Sequence, residues 1–173
     1  LSEGGPPIVA KSYDWNHEDG HVVLNPAGRT KHALVVAPGQ VPLSWTSKYA
    51  SVSFNQYGAE MPNGGMNEAG LVVEIMWLNE AGWEPADGRP VINELQWVQR
   101  QLDLYASTQE VVSHVSEVRI APIHGKVHYM VCDAGGACAT VEFIGGKQSV
   151  NAGPDLRAPV LTNNTYARSI EAL

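Results

Sequence analysis

Residues 90–102 read PVINELQWVQRQL, and here the hydrophobic period of the chain changes. Val91, Leu95, Val98 and Leu102 fall on one stripe of a helix that Pro90 can open. A few residues on, Ser107 and Glu110 have the form of a capping box, starting a second helix through Val111, Val112 and Val115. Upstream the pattern is short strands broken by Gly, Pro and Asn turns. Strands are predicted at 8–15 (IVAKSYDW), 21–24, 33–37 (ALVVA), 49–55 and 71–78 (LVVEIMWL), with a polar glycine-rich loop over 58–65. Downstream, strands are predicted at 127–132, 139–144, 147–150 and 158–161, and a helix over 165–173. Strands, two helices and strands again predict an α+β fold: two antiparallel sheets with helices packed outside. No repeat or linker divides residues 1–173, so one domain is expected, and an incomplete one, since the last helix has nothing after it to pack against.

The chain has 173 residues, 44% of them hydrophobic and 17% charged, which gives a globular domain with a core. A net charge of −7 without a basic run argues against nucleic acid or an anionic membrane as partner. No stretch has the apolar length of a membrane span, and the first residues lack a signal peptide's basic-then-apolar pattern, so any targeting segment is expected to have been removed or never to have existed. An acidic chain of this kind suits the cytoplasm, the periplasm or secretion, the last two slightly favoured. Cys132 and Cys138 flank a hairpin tip, CDAGGAC. They read either as two thiols packed in strands or, in an exported protein, as a cross-strand disulfide.

Few residues carry recognisable chemistry by spacing alone. His17, Glu18, Asp19 and His21 crowd a turn bent at Gly20 and read as solvated turn residues rather than metal ligands. No phosphate loop, no GxSxG elbow and no cofactor motif is present. Lys11 and Asp14, three residues apart, read plainly as a surface ion pair. Glu74, inside the most apolar run, needs a partner or a wet edge.

Four blocks in order make a longer pattern: KSYDW (11–15), GMNEAGLVVE (65–74), HYMVCDAGG (128–136) with VEFIGGK (141–147), and VLTNNTYARS (160–169). Together they resemble the choloylglycine hydrolase family, linear-amide C–N hydrolases that include penicillin V acylases and bile salt hydrolases. The resemblance covers nearly all of this chain but about the N-terminal half of a typical member. It implies the four-layer αββα fold of N-terminal-nucleophile hydrolases and an N-terminal cysteine as nucleophile, a handful of residues ahead of Leu1. It further implies that Asp14 orients that cysteine's α-amine and thiol. Lys11 stands where many members carry arginine, with an electrostatic role on the thiolate, and Asn163 directs its amide at the oxyanion. Trp77 stands where the backbone N–H completes the oxyanion hole, in place of the asparagine or tyrosine of other members. Trp77 and Trp83 are the expected substrate-binding aromatics. Asn163-Asn164-Thr165 is also a glycosylation sequon, and an asparagine at a strand end is often only a turn residue. The implied partner is a small acyl-amide substrate, with no metal or cofactor, and with homo-oligomers (tetramers) or association with a C-terminal half expected. The rival expectation is a non-catalytic binding or assembly module on the same fold.

Overall fold

The computed structural model describes residues 7–16 and 19–173. In chain order the strands are β1 (His21–Asn25), β2 (Thr30–His32), β3 (Ser44–Thr46), β4 (Ser51–Asn55), β5 (Pro62–Asn67), β6 (Val72–Trp77) and β7 (Val91–Ile92). Helices α1 (Glu94–Leu104) and α2 (Thr108–His114) follow, then β8 (Arg119–Ile120), β9 (Val127–Cys132), β10 (Cys138–Ile144), β11 (Lys147–Ala152) and α3 (Tyr166–Glu171). One antiparallel sheet of seven strands, ordered β1-β4-β5-β6-β9-β10-β11, dominates; β2-β3 and β7-β8 form two small ladders.

Helix α1 lies across β5 and β6, and α2 packs against β10. The core fills the space between, with Val73, Ile75, Tyr129, Val131, Val141 and Phe143 from the sheet meeting Trp97, Val98 and Leu102 from α1. Trp97 and Tyr129 have ring centroids 4.2 Å apart. Both helix starts are chemically fixed. Asn93 Oδ1 accepts the N–H groups of Leu95 and Gln96 at 3.0 and 2.8 Å, and Ser107 with Glu110 closes the expected capping box. The Glu94 carboxylate takes the N–H groups of Ile123, His124 and Gly125 at 2.8, 3.0 and 2.6 Å, tying the loop before β9 to α1. Asp103, wholly buried at the other end of α1, accepts from Lys31, the Trp45 indole and Gln99, and so anchors the β2-β3 ladder.

Several expectations are corrected. Residues 8–15 form no strand. Nor do 33–37, where Val35 is 67% exposed in the left-handed region at φ 55, a conformation no β-branched residue adopts in a strand. The expected strand at 158–161 is irregular chain, and the expected loop over 58–65 contains the start of β5, a central strand. The glycines that suggested a loop are there for space. A Cβ on Gly65 would lie 2.5 Å from the Val52 carbonyl oxygen and 3.0 Å from Leu102. The two expected sheets are, among the described residues, one large sheet with α1 and α2 on one face. The other face displays Val22 and Leu24 of β1, Val52 and Phe54 of β4, and Met66 of β5, matched by register and all exposed. A sheet face of this kind is what a second sheet covers in a layered sandwich.

Candidate active site

The segment 7–16 is tied to β5 and β6 by side chains. Lys11 donates its ammonium to Glu74 Oε2 at 3.0 Å and to the Asn63 carbonyl at 2.9 Å. The expected Lys11–Asp14 pair is therefore replaced by a pairing across 63 residues of chain, which also gives Glu74 its partner. Gly64 makes this possible, because a Cβ there would sit 2.0 Å from Glu74 Oε2. Burial pushes the Glu74 carboxyl above its ordinary range, and the charge of Lys11 opposes that shift. Asn63 also donates to the Tyr13 hydroxyl at 2.9 Å and to Gln56 Oε1 at 3.1 Å, and Tyr13 itself donates to Gln56. Burial, with the charge of Tyr57 adding and the Asn63 bond opposing, raises the Tyr13 phenol to about 12, so it remains a donor at neutral pH. Val9, Lys11, Tyr13, His21, Asn63 and Glu74 are among the residues lining a cleft of about 510 Å³ at this place.

Further along the same segment and β6, the indoles of Trp15 and Trp77 lie 5.5 Å apart, Trp15 donating to the Tyr57 hydroxyl and Trp77 to Asn79 Oδ1. The sequence had singled out Trp77 but gave Trp15 no role. Trp83 goes elsewhere: its ring packs on Phe143 at 5.2 Å, against the core under the helices. Asp14 is exposed and makes no hydrogen bond or ion pair among the described residues. Asn163 is exposed in a bend ahead of α3. His17 and Glu18 lie outside the described residues; among the described ones, no group of three His, Cys, Asp or Glu could hold a metal.

Behind Asn163 lies a network that residue spacing did not suggest. His128 and Glu142, both buried, join Nδ1 to Oε1 at 2.9 Å, and His128 Nε2 meets the Thr162 carbonyl at 2.9 Å. The signal was there to find: the register that sets Cys138 opposite Cys132 brings Glu142 beside His128. Those two cysteines form a disulfide, which decides between the two readings of the hairpin.

The fold and this site can be set beside known proteins. No family model matches the chain. It is 27% identical over 175 residues to a penicillin V acylase of Pectobacterium atrosepticum, covering 91% of this chain and 45% of that protein. Among solved structures, penicillin V acylase from Agrobacterium tumefaciens superposes with a TM-score of 0.75 at 30% identity, covering 88% of this chain and 47% of that one. A variant of conjugated bile acid hydrolase from Clostridium perfringens gives a TM-score of 0.72 at 21% identity, covering 92% and 49%. The fold is thus the α+β fold of N-terminal-nucleophile hydrolases, represented here by one sheet and its helices. Within that class the chain resembles the choloylglycine hydrolase and penicillin V acylase family over most of its length. It spans about half the length of the relatives it matches.

Proposed function

We propose that this chain is part of a hydrolase cleaving a linear amide through an N-terminal cysteine that precedes Leu1. The likeness to the Agrobacterium tumefaciens acylase, in sequence and fold together, carries this reading. In the proposed cycle the cysteine's α-amine takes the thiol proton, and the sulfur attacks the amide carbonyl. The oxyanion accepts hydrogen bonds from the Asn163 amide and the Trp77 backbone N–H. The C–N bond then breaks, the leaving amine takes the proton from the α-ammonium, and water hydrolyses the thioester. Asp14, exposed and without a hydrogen bond among the described residues, is available to orient the α-amine. Lys11, held by Glu74 beside the cleft, lends positive charge to the thiolate.

The Trp15–Trp77 pair, two residues along the chain from the cleft-lining Tyr13, favours an apolar, aromatic acyl group, as in penicillin V, over a conjugated bile acid. Trp83, packed on Phe143 of the core, supports no substrate contact. The disulfide supports an oxidising location, periplasmic or extracellular. Kinetics of the full-length protein on phenoxyacetyl and steroid amides test the reading. Asn163→Ala should lower kcat by ~10²–10³, the usual worth of an oxyanion donor, and Asp14→Ala should lower it too. Unchanged kinetics in both variants would remove the site assignment. Binding without turnover by the unaltered full-length protein would favour the non-catalytic module.

A further inference from the structure

We infer that His128 is a positioning residue for Asn163, acting through the carbonyl of Thr162. The catalytic consequence rests on the amide-hydrolase reading above; the structural one does not.

A histidine with no exposed surface, in a strand whose residues are all buried, must have both ring nitrogens bonded to be tolerated. Both are, but unequally in purpose. Nδ1 is spent on Glu142 of the neighbouring strand, which fixes the ring. Nε2 is spent on a backbone carbonyl 34 residues away, outside the sheet. A carbonyl oxygen and a carboxylate can only accept, so Nε2 donates to Thr162 and Nδ1 donates to Glu142. The Thr162 carbonyl and the nitrogen and Cα of Asn163 share one peptide plane, so holding that oxygen holds the start of Asn163.

The turn has little else to hold it to the sheet. Residues 156–165 join no ladder. Thr162 Oγ1 pairs with Ser169 Oγ of α3 at 2.8 Å and accepts the Asn164 N–H at 3.2 Å, which ties the turn to α3. The Tyr166 N–H, in the first turn of α3, goes to the same Glu142 oxygen at 2.8 Å. One carboxylate oxygen therefore sets both α3 and the imidazole, and the imidazole sets the turn. Asn163 makes no side-chain hydrogen bond among the described residues, so its aim is inherited from its backbone.

The test compares two variants of the full-length protein that each keep one of the two bonds. His128→Asn places an amide near Nδ1 and keeps Glu142, while His128→Gln reaches the Nε2 position and keeps Thr162. Similar losses of stability are expected, since each drops one hydrogen bond. The kcat should fall about 10- to 100-fold in His128→Asn with KM nearly unchanged, and only a few-fold in His128→Gln, the scale expected when a donor is misplaced by about 1 Å. Equal kcat losses in the two variants, or a change confined to KM, would overturn the proposal. Amide hydrogen exchange over residues 162–165 separates it from the reading it rests on. Should the wild-type protein turn over no amide, that reading fails, yet faster exchange in His128→Asn than in His128→Gln would still support the positioning role. Equal exchange in the two would overturn it.

Discussion

Gly64 is the position where the least chemistry should do the most damage. It lies in a central strand with ordinary backbone angles, so alanine there brings no conformational strain and gains roughly 0.5–1 kcal/mol over glycine by losing less freedom on folding. Its added Cβ, however, would fall 2.0, 2.4 and 2.6 Å from the three carboxyl atoms of Glu74, all deep inside contact distance. The carboxylate must swing away, and Lys11 keeps only the Asn63 carbonyl. Breaking a fully buried pair costs about 3–5 kcal/mol. The Lys11 and Glu74 side chains remain 15% and 17% exposed, which lowers the figure to about 1–3 kcal/mol. Net of the alanine gain, Gly64→Ala should destabilise by roughly 1 kcal/mol and at most about 2.5 kcal/mol, read as a lower urea midpoint of the full-length protein. The discriminating step is the double mutant. In a Glu74→Ala background the same substitution should be neutral or stabilising, because the obstruction is gone. An equal loss in both backgrounds would refute the claim that Gly64 exists to admit the Glu74 carboxylate.

Three further outcomes follow from the same geometry. Reducing the Cys132–Cys138 disulfide, or replacing both cysteines by serine, should cost about 2 kcal/mol, since the loop it closes is short; a thermal scan with and without reductant checks this. Glu94→Ala should cost more than 2 kcal/mol in denaturant unfolding, because three backbone N–H groups lose their acceptor, and Glu94→Gln should recover part of the loss. Glu74 titrates above its ordinary 4.5 in the folded state, so the folded state binds that proton more tightly than the unfolded one. Its stabilising contribution is complete below the ordinary value and is lost as pH rises through the raised one. Glu74→Gln should therefore remove a fall in Tm seen on going from acid toward neutral pH.

The helices and the regular strands of this fold were legible because their periods are local properties. The stripe in 91–102, the capping box at Ser107 and the alternation in 51–55 each report their own element. What failed was decided at a distance. PNGGMN carries every mark of a loop, and only the closeness of Glu74 and of the β4 backbone explains a glycine pair inside a sheet. ALVVA looks like a buried strand, but the chain turns left-handed at Val35 and leaves it exposed. The site divides in the same way. Lys11 stood out in sequence, yet its partner, Glu74, came from 63 residues away rather than from Asp14. His128 drew no role from spacing, because its bonds depend on a hairpin register and a turn 34 residues further on.

The central claim, an amide hydrolase driven by an upstream cysteine, is met most directly by N-terminal sequencing and intact mass of the mature natural protein, before and after thiol alkylation. The account predicts a chain starting at cysteine a few residues ahead of Leu1, with one alkylation at that residue abolishing amide turnover. A mature start at Leu1, or at an upstream residue other than cysteine, serine or threonine, would contradict it and leave the fold as a binding module.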